Sequence, residues 1–196
     1  MSDLLTVSSA GTYTRPGQEM TEQAAAVSLR YGGDPVGHGA TSVTPLRIQQ
    51  ANLVLALSRE HRSEIVSLVP KAARKTFTLR EIDRLIQVLR EVEPDSALEE
   101  RGPSSGALDS FVRDVGSMRG FSQTVPFPAD DDVLDPYRRS QETYDQAGLL
   151  INNAVQTLAG AFISATRSRV HLLGEASSGS PETTRPPLSF RSEDSK

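Results

Sequence analysis

The apolar positions of the chain fall into short continuous runs and longer periodic stripes, a pattern that predicts strands followed by helices. Leu4–Val7 is a short apolar run followed by the small residues 8–12, which favours a strand that ends in a turn. Residues 53–57 are five apolar residues without alternation, typical of a strand buried on both faces of a parallel sheet. A further strand is predicted at 75–78. Strands that alternate with helices predict an α/β fold of three layers, a parallel sheet flanked by helices.

Four predicted helices begin after residues that are good N-caps, because their side-chain oxygen accepts a hydrogen bond from the first turn. At the last of them, Thr78 and Glu81 have the spacing of a capping box, in which each side chain bonds to the other's backbone N–H. The expected caps are Thr21, Thr44, Ser58 and Thr78, and the first three helices are expected to end near Gly32, Ala51 and Pro70.

The second half of the chain is expected to hold an insertion and one long helix. Residues 93–129 are predicted to be a linker and an inserted helix, with Leu108, Phe111, Val115 and Met118 at steps of three and four. After Ser140, a sustained apolar stripe predicts a helix that ends near 167–169.

Domain organisation follows from where apolar residues become scarce. Only Ala176, Leu188 and Phe190 are apolar in the stretch 174–196, too few to offset the entropy cost of ordering it. We therefore predict one domain over residues 1–170 and a disordered tail over 171–196.

Composition excludes several classes of function. Lys and Arg number 21 against 25 Asp and Glu, a formal charge of −4, so a nucleic-acid partner is not expected. The chain has no cysteine, which excludes a disulfide, thiolate metal ligation and a cysteine nucleophile. The histidines His38, His61 and His171 lie far apart in the sequence, so no metal site is expected, and no cofactor motif is found.

Targeting signals are also not evident in the sequence. Residues 1–5 lack the basic and apolar regions of a signal peptide, and no apolar run reaches the roughly 20 residues that span a bilayer. A cytoplasmic protein without a membrane partner is the expectation.

Several short segments in a fixed order resemble the low-molecular-weight protein tyrosine phosphatase family. They are Val7-Ser8-Ser9-Ala10-Gly11-Thr12, Gly37-His38-x-Ala40, residues 51–55, 58–62 and 75–81, and Asp135-Pro136-Tyr137. The resemblance implies a four-stranded parallel sheet flanked by helices and the removal of phosphate from tyrosine in proteins. Thr41 stands where the family usually has an arginine.

The resemblance begins at the family's second strand, so the first strand, the first helix and the C-x5-R phosphate loop have no counterpart here. Because the absent strand is an interior one in the family, its loss is expected to leave Leu4–Val7 and 53–57 without their shared partner. The chain as written is therefore predicted to be inactive. Two hypotheses stay open: an enzyme whose true product carries a C-x5-R segment upstream of Met1, and a non-catalytic relic that binds a partner through the open sheet.

By the resemblance, Asp135 is the general acid and Tyr137 forms a wall beside the substrate ring. The alternative is that the Asp135-Pro136 pair only forms a turn, as these residue types often do, and that Asp130–Asp132 is an acidic run exposed to solvent. A phosphotyrosine protein is the expected partner if the full-length form is active. The sequence leaves the oligomeric state open.

Overall fold

The computed structural model describes residues 5–92, 106–121, 125 and 127–176, with side chains described up to residue 165. Two strands lie within these residues, β1 (Val54–Ala56) and β2 (Thr76–Thr78). The helices are α1 (Glu22–Arg30), α2 (Pro45–Gln50), α3 (Arg59–Leu68), α4 (Leu79–Val92), α5 (Ala107–Ser117) and α6 (Gln141–Ala176). Short 3-10 helices span Pro70–Lys75, Met118–Gly120 and Pro128–Asp131.

The sheet in the described residues consists of β1 and β2, which pair in parallel with Leu55 opposite Phe77. An isolated parallel bridge joins Gly11 to Ser42. The predicted strand Leu4–Val7 is wrong for residues 5–7, which are irregular and exposed, while Leu4 lies outside the described residues. A single strand is not stable without a neighbour to bond its backbone, and the described part of the chain places none beside it.

Helices cover both faces of the sheet, which confirms the predicted three-layer α/β fold. On one face, Val54 and Ala56 pack with apolar residues of α2 and α3, among them Ile48 and Ile65. On the other face, Phe77 lies in a larger core formed with α4, α5 and α6. The prediction that 53–57 is buried on both faces is wrong in part, since Leu55 is 36% and Leu57 42% exposed.

The first four helices begin after the residues that the sequence predicts as caps. In α1, α2 and α3, the side-chain oxygens of Thr21, Thr44 and Ser58 accept a hydrogen bond from the first helical turn. The capping box at α4 is also present: Glu81 N–H donates to Thr78 Oγ1 at 3.0 Å, and Thr78 N–H donates to Glu81 Oε2 at 3.2 Å. Local hydrogen bonding thus sets where the chain turns from strand to helix.

The last two helices differ from the sequence predictions: α5 in where it packs and α6 in where it ends. Helix α5, predicted as part of an insertion, packs into the main core, while 93–105 lies outside the described residues. Helix α6 continues to Ala176, so its predicted end near 167–169 is wrong and the first six residues of the predicted tail are helical. Residues 177–196 lie outside the described part, and the domain 1–170 stays a prediction.

Among the residues that the structure describes, one helix is long and apolar enough to cross a membrane by length and composition, the segment Gln141–Ala165 of α6. Core helices of soluble proteins meet the same criterion. Here α6 buries Tyr144, Ala147, Ala154 and Ala161 and packs mainly against α4 and α1.

Candidate functional site

The segment that carries Asp135 crosses the carboxyl end of β1. Val133 N–H donates to Leu57 O at 2.7 Å, one residue beyond the strand. The Val133 side chain is buried in a small cluster with Leu79 and Ala147. Ligands of open α/β sheets bind outside the carboxyl ends of the strands, so this is where the fold favours a site.

Two aspartates anchor the segment just before Val133. Asp132 Oδ1 accepts a hydrogen bond from the backbone N–H of Arg59, the first residue of α3, at 2.7 Å. Asp131 Oδ1 lies 2.6 Å from Arg84 Nη1 of α4, and the Asp131 side chain is largely buried. A carboxylate at a helix N-terminus is favourable because unpaired N–H groups concentrate positive charge there. The alternative interpretation of a solvated acidic run is therefore wrong for these two residues.

Asp135 and Tyr137 lie beyond this anchor and are both exposed. Asp135 Oδ1 accepts a hydrogen bond from Tyr137 N–H at 3.0 Å, an Asx turn that orients the carboxylate. The guanidinium carbon of Arg138 lies 5.2 Å from the centre of the Tyr137 ring, and Arg138 has a positive φ of 60°. The turn therefore presents a carboxylate, an aromatic ring and a cation side by side at the surface.

The chemistry that this turn supports is limited to proton transfer and ring contact. An aspartate can donate or accept a proton, and a half-exposed tyrosine can pack against another ring. The full chain has no cysteine to attack phosphorus. Within the described residues no group of three potential metal ligands comes together.

The residues that hold the turn in place were not identified from the sequence. The bond from Asp132 to Arg59 spans 73 positions, and the pair of Asp131 with Arg84 spans 47. No local pattern connects residues so far apart, and an acidic run beside a Pro is equally typical of a solvated loop. Only the path of the chain over β1 brings these partners together.

Comparison with known proteins places the similarity in the first half of the chain. The family model for low molecular weight phosphotyrosine protein phosphatase matches residues 1–95, which include β1, β2 and α4 but not Asp135. No curated protein matches the sequence.

Two solved structures share the fold. The tyrosine phosphatase AmsI of Erwinia amylovora aligns with a TM-score of 0.51 at 16% identity, covering 78% of this chain and 71% of that one. Wzb of Vibrio vulnificus, solved in complex with benzylphosphonate, aligns with a TM-score of 0.50 at 20% identity and covers 82% of each chain. At these identities the likeness is one of fold.

Proposed function

We propose that the chain is a member of the low molecular weight phosphotyrosine protein phosphatase family, whose model matches residues 1–95, and that it does not hydrolyse phosphotyrosine by itself. The observation that carries the proposal is the composition: none of the 196 residues is a cysteine. In this family the cysteine of a C-x5-R loop attacks phosphorus, and covalent catalysis depends on the group that attacks.

We propose that Asp135 and Tyr137 are the retained part of the family's site. Asp135 would protonate the departing phenolate oxygen, and Tyr137 would line one side of the substrate ring. The Asx turn and the exposure of both residues support these roles, because each side chain is accessible to a bound phosphoester. A general acid lowers the barrier to departure of the leaving group only once a nucleophile has attacked phosphorus. These two residues alone are therefore expected to accelerate hydrolysis very little.

The test is hydrolysis of p-nitrophenyl phosphate by the purified chain. We expect the rate to equal that of the buffer blank, and the Asp135→Asn variant to be indistinguishable from the parent. The matched control is Asp34→Asn, because Asp34 is an exposed aspartate in an equivalent turn, accepting from Val36 N–H at 2.9 Å. Turnover above the blank that Asp135→Asn abolishes and Asp34→Asn preserves would overturn the proposal.

We further propose that this is a cytoplasmic protein whose catalytic form, if it includes a C-x5-R segment, acts on a phosphotyrosine protein. In such a form the Asp135→Asn substitution is expected to lower kcat by about 10²–10⁴-fold, the usual contribution of a positioned general acid.

A second candidate function is a non-catalytic interaction through the open side of the sheet. The exposure of Leu55 and Leu57 on and beside β1 favours it, since strand residues at a covered edge are usually buried. Hydrogen–deuterium exchange of the Leu55 amide in dilute protein tests it, because the neighbouring Ala56 amide already faces β2. Fast exchange of Leu55 is expected, whereas its protection at high dilution would show that the edge is already closed.

A further inference from the structure

The outer edge of β2 is closed by side chains. Thr76 O accepts hydrogen bonds from Arg62 Nε at 3.1 Å and from Arg119 Nη2 at 2.8 Å. Thr78 N–H donates to Glu81 Oε2 at 3.2 Å. These groups therefore point away from β1, and the edge that they form has its polar groups occupied.

The same geometry leaves the outer edge of β1 open. Because backbone groups alternate along a strand, Phe77 is the residue of β2 that bonds to β1, and in a parallel ladder it bonds to the residues that flank Leu55. Leu55 N–H and C=O then point to the other side, as does Leu57 O, which accepts from Val133 N–H. In the described part of the chain no other segment bonds to the backbone of Leu55.

This open edge is short, apolar and uncharged. Residues 53–57 contain no charged side chain, and the bond from Val133 to Leu57 ends the edge at its carboxyl side. A strand that binds here must therefore pair around Leu53 and Leu55, and a charged strand would lose its hydration without gaining a partner.

A segment of the same chain has the complementary properties. Residues 5–7 are Leu-Thr-Val, whose Thr and Val favour strands, and residues 5–10 carry no charge. They are irregular and exposed, with Val7 at 89% exposure, and no strand pairs with them among the described residues. The chain is held in place directly after this segment, at Gly11. Gly11 N–H donates to Thr41 O at 2.9 Å, and Val43 N–H donates to Gly11 O at 3.0 Å.

We propose that a second copy of this chain covers the open edge, by an exchange in which residues 5–7 of each copy add as a strand to β1 of the other. The proposal rests on the open-edge interaction under the second candidate function and names its partner. Two identical exchanges close a two-fold dimer, because the donor segment and the acceptor edge of each copy are then both used. Each exchange bonds the backbone of Leu55 and brings an uncharged segment against an uncharged edge. Since the exchanged strands are only about three residues long, well below the usual 5–6, we expect a dimer that depends on concentration.

The primary experiment is sedimentation of the full chain from about 1 µM to about 1 mM, the range over which micromolar association is resolved. We expect a monomer–dimer equilibrium that the Val7→Lys substitution weakens by about tenfold or more, because a charged side chain loses its hydration in the paired strand. The matched control is Val36→Lys, since Val36 is 85% exposed outside the exchanged segment. A chain that stays monomeric throughout, or equal weakening by both substitutions, would overturn the proposal.

A mixing experiment separates the donor segment from the acceptor edge. Leu55→Glu, checked for folding by circular dichroism, is expected to weaken the homodimer as Val7→Lys does. A mixture of the two variants retains one intact pairing, the 5–7 segment of the Leu55→Glu copy on the unchanged edge of the Val7→Lys copy. We expect heterodimers in native mass spectrometry, and their absence would contradict the exchange.

Hydrogen–deuterium exchange distinguishes failure of this proposal from failure of the second candidate function. Protection of the Leu55 amide that rises with protein concentration is the expected result. Fast exchange of Leu55 at every concentration would mean that the edge stays open and would exclude a second copy as its partner, whereas protection of Leu55 at the lowest concentration would exclude the open edge itself.

Discussion

Tyr13 is a highly exposed side chain that nevertheless has a specific partner. Its hydroxyl hydrogen-bonds to the Glu64 carboxylate of α3, and this bond is the main reason why the pKa of Tyr13 lies above its usual value near 10. The negative charges of Glu64 and Glu60 act in the same direction, because they oppose formation of a tyrosinate. The contact joins the segment after the Gly11 bridge to α3.

The raised pKa of Tyr13 can be measured by its absorbance near 295 nm. The difference between the parent and Tyr13→Phe isolates its titration, and Glu64→Gln is expected to lower the midpoint. Because the protonated phenol is favoured in the folded chain, its contribution to stability is present below the ordinary pKa and is lost as the pH rises through the folded value. Glu22→Gln on α1 is the control, and an equal shift there would contradict a specific bond to Glu64.

At the scale of elements, helices with strong local signals and the parallel strands β1 and β2 were predictable, whereas the strand Leu4–Val7 was not. The caps Thr21, Thr44, Ser58 and Thr78 act within three residues, so the starts of α1–α4 follow from the sequence. The expected strand Leu4–Val7 is not formed at 5–7, because a strand depends on a neighbour that local sequence does not specify. The end of α6 was missed because the apolar stripe is interrupted by the polar residues Thr166 to Arg169, although the helix continues through them.

In the candidate site too, contacts between residues close in sequence were predictable, and contacts between residues far apart in sequence were not. Asp135 and Tyr137 were identified as a motif, and their Asx turn is a contact between residues two apart. For Asp131 and Asp132 the sequence offers a solvated acidic run as an alternative, because their partners lie on α4 and α3, far away in sequence. The partners of these two aspartates can be identified only from the three-dimensional structure, which brings distant parts of the chain together.

Asp132 is expected to stabilise the start of α3, whereas Asp135 is expected to leave stability unchanged. Asp132→Ala removes the acceptor for Arg59 N–H, and loss of a helix-terminal acceptor costs about 0.5–2 kcal/mol. Asp135→Ala in the same segment is the matched control, with an expected change within about 0.5 kcal/mol, as for most surface substitutions. Urea unfolding measures both, and an equal loss of stability in the two variants would contradict the anchoring role of Asp132.

For the whole molecule, the segment 107–121 is part of the central core rather than an appendage. Phe111, Val112 and Val115 of α5 are buried in one cluster with Phe77 of β2. Just after α5, the Arg119 guanidinium lies 4.1 Å from the centre of the Phe77 ring and also bonds to Glu81 at 2.8 Å. Arg119 therefore closes the edge of β2 and ties the segment to the start of α4.

Because one core spans β2, α4, α5 and α6, we expect the described part of the chain to unfold as a unit. Phe111 is 3% exposed and packs edge-to-face on Phe162 of α6 with ring centres 5.7 Å apart. Phe111→Ala is expected to cost about 3–5 kcal/mol, since a buried ring is replaced by a cavity. Phe121→Ala is the control, because that ring is 69% exposed and its loss is expected to cost less than about 0.5 kcal/mol. Calorimetry should show one transition that Phe111→Ala lowers as a whole. A separate early transition, with the main one unmoved, would mean that α5 folds apart from the sheet.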